Sequence, residues 1–110
     1  MHGIKELDVL QLHGMMQDRG VALIDVRTPA EVARGGIAGA KNIPLHLIPM
    51  AEQDLVKQGP VVFYCQTGAR SAQACAFMIS RGREDVYNLR GGIMAWLRDG
   101  QPASAIESAI

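Results

Sequence analysis

Cys65 follows a wholly apolar run, Val61-Val62-Phe63-Tyr64, and precedes Gln66-Thr67-Gly68-Ala69-Arg70. The run reads as a buried strand with both faces covered, as in a parallel sheet. The stretch from Ser71 to Ile79 is rich in helix formers. A thiol on a tight loop between a strand end and a helix start meets converging backbone N–H groups and the positive end of the helix dipole. That setting favours the thiolate, the nucleophilic form, and Arg70 adds a fixed positive charge nearby. An ordinary thiol titrates near ~8.5, and lowering it by ~2 units, or ~2.7 kcal/mol, makes the thiolate the main form at neutral pH. A helix terminus supplies ~0.3–1 kcal/mol when exposed and up to ~2 when partly buried. The loop N–H groups and Arg70 are expected to supply the remainder.

The neighbours of Cys65 have simpler readings beside that chemistry. Gln66, Thr67, Gly68 and Ala69 read as a frame whose backbone matters, and Gly68 can take a positive φ or allow a close approach. Thr67 can also serve only to cap the helix. Ser71 reads either as a helix-start residue or as a hydrogen-bond donor to the sulfur. Asp25, Arg27 and Glu31 follow the carboxyl end of an earlier strand; the favoured reading is an internal ion pair and loop brace, the other a rim of the site. Cys75 shares a helical stripe with Ala72, Ala76 and Ile79 and is expected to be a small core residue. More than a turn of helix separates it from the loop, so a Cys65–Cys75 disulfide is not expected. His2, His13 and His46 show no metal-ligand spacing, and no metal site is expected. Trp96 reads as a core anchor, and the methionines as packing residues.

Alternating elements position these residues. Asp8 can cap a helix through about Arg19, with Val9, Leu12 and Met16 inward and Gly20 ending it. Val21 to Val26 reads as a strand. Thr28-Pro29 opens a short helix, with Thr as cap and Pro in the first turn. A brief strand at 41–43, a helix at 49–57, the Val61 strand, the Ser71 helix, a strand at 85–89 and a helix at 93–99 follow. Such alternation predicts an α/β fold, a mostly parallel central sheet flanked by helices in three layers. Ligands then bind beyond the carboxyl ends of the strands, where Cys65 sits.

Length and composition set the outer bounds. At 110 residues the chain suits one domain. We expect that domain over 1–100, with a mobile or loosely packed tail at 101–110. Hydrophobic residues make up 48% and charged residues 20%, with 11 basic and 11 acidic side chains. Nothing points to nucleic acid or membrane partners. Two free thiols and the absence of a signal-peptide pattern give a cytoplasmic expectation, with a monomer as default.

Four blocks together resemble the single-domain rhodanese (sulfurtransferase) family, over about Ile4 to Arg98. They are Leu23-Ile24-Asp25-Val26-Arg27 with Pro29 and Glu31; Gly36-Ile37-Ala38-Gly39-Ala40 with Asn42-Ile43-Pro44; Cys65 through Ser71; and Leu89-Arg90-Gly91-Gly92 with Ala95-Trp96. The resemblance implies a rhodanese-like fold and a persulfide cycle. Cys65 would take a sulfur atom from thiosulfate or a persulfide such as glutathione persulfide, and pass it to a thiophilic acceptor: cyanide in vitro, a thiol or protein cysteine in the cell. It implies no cofactor beyond the covalent persulfide, and an active-site loop running from Cys65 to Arg70. Two positions depart from the family. Gln66 stands where Arg commonly follows the cysteine, which weakens the pull on a dianion, and Gly36 stands where His is usual.

Two other functions fit parts of the pattern. Strand, Cys-loop, Arg and helix also describe cysteine phosphatases, but those have a longer loop, and Ser71 stands where their Arg would be. A sulfur-carrying or docking module without turnover on free small molecules is the other alternative.

Overall fold

The structure, a computed structural model, describes residues 3–110; His2 lies outside the described residues. Six strands alternate with five helices: β1 (Glu6–Leu7), α1 (Val9–Asp18), β2 (Ala22–Asp25), α2 (Pro29–Val32), β3 (Lys41–Asn42), α3 (Ile48–Val56), β4 (Val61–Tyr64), α4 (Ala69–Ser80), β5 (Val86–Leu89), α5 (Gly92–Arg98) and β6 (Glu107–Ser108). A short 3₁₀ turn at Leu45–Leu47 leads into α3. The sheet order is β1-β5-β4-β2-β3-β6, with every neighbouring pair parallel. The α/β fold with a parallel sheet is thus as the alternation predicts.

Residues of β4 alternate between two cores, because successive side chains of a strand point to opposite faces. Val61, Phe63 and Cys65 join Ala74, Cys75 and Met78 of α4 and Leu55 of α3 in one cluster. Val62 and Tyr64 join Leu12 of α1 and Ile93 and Trp96 of α5 in the other. All four β4 residues are at most 1% exposed, which is why this strand reads as an unbroken apolar run.

Local signals place several ends. Asp8 caps α1 and exchanges side-chain and backbone bonds with Gln11. Thr28 does the same with Glu31 at α2, with Pro29 in the first turn. Three expectations need correction. The helix predicted from Ser71 starts at Ala69, after Gly68 takes a left-handed φ of 107° as its cap, so Thr67 does not cap it. Ile79, assigned to the inward stripe with Cys75, is 40% exposed; α4 turns Ala74, Cys75 and Met78 to the core instead.

The third correction concerns the tail. Residues 101–110 are bonded to the domain: β6 pairs with β3, Ser104 bridges Gly36, and the Trp96 indole N–H donates to the Pro102 carbonyl at 3.0 Å. This also accounts for Gly36. A Cβ there would lie 2.9 Å from both Ile106 Cδ1 and the Tyr64 hydroxyl oxygen. The tail fills the space a side chain would need. No helix is long and apolar enough to cross a membrane among the described residues.

Candidate functional site

The Cys65 loop leaves the carboxyl end of β4, near the centre of the sheet, and turns straight into α4. Its sulfur lies beneath the loop, the residue being 1% exposed. The Gly68 N–H donates to Cys65 Sγ at 3.1 Å, and the Ser71 hydroxyl lies 3.4 Å from it. Burial pushes the thiol up, but the Ser71 hydroxyl and then the N–H groups of Ser71, Gly68 and Thr67 outweigh it, leaving Cys65 below its ordinary value. The thiolate is therefore stabilised by hydrogen bonds aimed at the anion. Cys75 shows the contrast: with burial and no such donors, its thiol is pushed up to about 12. Both cysteines are free.

The loop keeps its shape because a second turn is pressed against it. The Ile93 and Met94 N–H groups, at the start of α5, donate to the carbonyls of Cys65 and Gln66 at 2.9 and 3.2 Å. With its carbonyls held outward, the loop can turn N–H groups toward the sulfur. The approach requires Gly92, whose φ is 59° and whose Cβ, if present, would lie 2.5 Å from the Cys65 carbonyl oxygen.

Asn88 of β5 locks the other side. Its Nδ2 donates to the Gly68 carbonyl at 3.1 Å and to Glu6 Oε2 at 3.3 Å, while its Oδ1 accepts from the Ser71 hydroxyl. Neither Asn88 nor Gly92 was singled out as a site residue from the sequence. A signal existed for each: a lone amide in the apolar strand Val86-Tyr87-Asn88-Leu89, and a Gly-Gly pair at a helix start.

The charged candidates sort into two pairs. Asp25 and Arg27, 0% and 3% exposed, form a buried pair with Arg27 Nη2 2.7 Å from Asp25 Oδ2. Arg27 also donates to the Gly35 carbonyl at 2.8 Å. Glu31 and Arg70 form a two-pronged pair at 2.7 and 2.8 Å, joining α2 to the first turn of α4. Arg70 was expected to add its charge to the cysteine loop. Its guanidinium is hydrogen-bonded to Glu31 and acts on Cys65 through charge, while the hydrogen-bond donors to the sulfur are the Ser71 hydroxyl and loop N–H groups.

Gln66 is half-buried, while Thr67 and Ala69 are exposed. A cleft of about 260 Å³ opens beside the loop, lined by Arg27, Glu31, Arg34, Gln66, Ile93 and Leu97 among others. A larger cleft of about 530 Å³ lies between α3 and the chain end, where Leu47, Met50 and Ile110 line it. It takes in no residue of the cysteine loop. His13 stacks on Trp96 with ring centroids 4.9 Å apart, and His46 is exposed. Among the described residues, no group of three or more His, Cys, Asp and Glu is placed to hold a metal ion.

This geometry meets a family match. A family profile described as the rhodanese-like domain covers residues 8–99. The chain belongs to the rhodanese-like family. It is 47% identical to a protein of Allochromatium vinosum named sulfurtransferase, over 94% of this chain and 98% of that one. It is 32% identical to the thiosulfate sulfurtransferase GlpE of Stutzerimonas stutzeri, covering 87% of each. The structure of the human single-domain sulfurtransferase TSTD1 superposes with a TM-score of 0.75 at 27% identity, covering 87% of this chain and 97% of that one. Rhodanese-like chains named sulfurtransferases thus match this one over most of their length.

Proposed function

We propose that this rhodanese-like chain is a sulfurtransferase working through a persulfide on Cys65. The observation that carries the reading is the recessed Cys65 sulfur, held below its ordinary thiol value by the Ser71 hydroxyl and the N–H groups of Ser71, Gly68 and Thr67. The Cys65 thiolate attacks the terminal sulfur of thiosulfate or of a persulfide such as glutathione persulfide. A sulfur–sulfur bond forms on Cys65, and sulfite or the donor's thiolate leaves with the electron pair of the broken bond. The outer sulfur is then attacked by cyanide, a thiol or a protein cysteine, which returns Cys65 as thiolate. Two half-reactions through one covalent intermediate give ping-pong kinetics.

The same donors that hold the thiolate would hold the persulfide anion. Because Cys65 is 1% exposed, its partner atom must be terminal and small, which sulfane sulfur is. A phosphatase reading is weaker for a second reason: the loop's single arginine, Arg70, is engaged by Glu31. One observation favours a carrier that docks a partner without free turnover, namely that Arg27 and Arg70 are both already paired.

Intact-protein mass after incubation with thiosulfate, and separately with glutathione persulfide, tests the reading. One added sulfur atom, lost in Cys65→Ser, is expected from at least one donor; no adduct from either would sink it. Thiocyanate formation from cyanide then separates an enzyme from a carrier.

A further inference from the structure

Two of the arginines around the mouth of the cysteine loop are each held by a carboxylate. Arg27 is held by Asp25 and the Gly35 carbonyl. Arg70 spends one hydrogen of each terminal nitrogen on Glu31. Glu31 does not swing to meet it. Glu31 Oε1 accepts from the Thr28 N–H and hydroxyl, both at 3.1 Å, so the cap of α2 sets the carboxylate in place. Side-chain exposures of 34% for Arg70 and 29% for Glu31 put the pair at the surface of the site, open to an incoming ion. Of the arginines lining the cleft, Arg34 alone makes no ion pair among the described residues.

We propose that Glu31 is a specificity-determining residue that sets this loop against dianionic sulfur donors and toward donors with less negative charge at the reacting sulfur, the organic persulfides. The inference rests on the sulfur-transfer reading above. A dianion is best held by a guanidinium free to bind with two parallel bonds. Here such an ion must displace Glu31 from Arg70, or turn to Arg34, which shares the cleft with the same Glu31 carboxylate that repels the ion. Gln66 offers no second guanidinium to compensate. A persulfide brings at most one charge to the reacting end, so the same carboxylate opposes it less. The apolar Ile93 and Leu97 on the cleft wall suit the carbon skeleton of an organic donor.

Glu31→Gln tests this with little disturbance, because glutamine can keep the capping bonds to Thr28 while losing the charge. The expected result is a KM for thiosulfate about tenfold lower, equivalent to ~1.4 kcal/mol, with that for glutathione persulfide moving by much less. Glu31→Ala, which also removes the cap, should order the donors the same way. A second readout needs no turnover: sulfate should protect Cys65 from iodoacetamide at about tenfold lower concentration in the variant. A merely structural role would shift both donors in parallel and leave sulfate protection unchanged. Either of those results, or an unchanged or raised KM for thiosulfate, overturns the inference. Its failure is distinct from that of sulfur transfer, which fails on the absence of any Cys65 adduct in wild type and variant alike. The sulfate measurement reports on Glu31 in both cases.

Discussion

Ser71→Ala is expected to raise the Cys65 thiol by about one pH unit. The magnitude follows from one hydrogen with two claimants. The Ser71 hydroxyl can donate to Cys65 Sγ or to Asn88 Oδ1, and the latter contact is the shorter. Asn88 cannot turn its Nδ2 to the serine instead, because that group is bonded to the Gly68 carbonyl and Glu6. In the thiol form the serine proton therefore belongs to Asn88. Ionisation turns it to the sulfur, gaining a bond to a charge of ~1.5–3 kcal/mol and losing a neutral one of ~0.5–1.5. The net spans ~0–2.5 kcal/mol, and the mid-range values differ by ~1.3, or about one unit. The rate of iodoacetamide alkylation against pH reads this at Cys65; Cys75, fully buried and pushed up to about 12, stays silent. The same logic gives Asn88→Ala the opposite sign: with its competitor gone, the serine proton serves the thiolate and the Cys65 value falls. An unchanged or lowered value in Ser71→Ala, or a raised one in Asn88→Ala with the fold intact, would refute the shared-proton account.

Gly92→Ala places a Cβ 2.5 Å from the Cys65 carbonyl oxygen at a φ of 59°, and should cost at least ~2 kcal/mol in urea denaturation from backbone strain and loop displacement. A wild-type midpoint would show that the two turns do not press on each other. Arg27→Ala strands the fully buried Asp25 carboxylate and should cost ~3–5 kcal/mol by the same measurement; a loss under ~1 kcal/mol, the range of an exposed pair, would contradict the buried-pair reading. Arg70 holds the Glu31 carboxyl down from 4.5 to about 2. Its folded value lies below its unfolded one, so its contribution to stability is full above ~4.5 and is lost as pH falls toward about 2. The stability difference between wild type and Glu31→Gln should change across that window, wild type losing relative stability on acidification; a constant difference counts against the pairing.

Local chemistry made much of this protein readable as a string. Asp8, Thr28, Pro29 and the apolar run ending at Tyr64 act through neighbours a few residues away, so their types announce helix starts and a buried strand. Cys65 was legible as a reactive thiol for the same reason: strand, loop and helix are contiguous. The strands Glu6–Leu7 and Glu107–Ser108 were not, because two residues carry no periodicity. The tail's place on the sheet depends on partners in β3 and at Gly36.

What surrounds the sulfur was settled by contacts across long chain separations. Arg70 and Glu31 are 39 positions apart, and Asn88 reaches back 20 to Gly68; in the sequence Arg70 reads as a charge for the cysteine loop and Glu31 as part of an ion pair beside Asp25 and Arg27, while Asn88 has no assigned role. The chain order therefore specifies the nucleophile, its strand and its helix, since those arise from adjacent residues. Only the packed sheet decides that Ser71 and the loop amides hold the thiolate by hydrogen bonds while Arg70 bonds to Glu31, because the direction of a hydrogen bond exists only once distant segments meet.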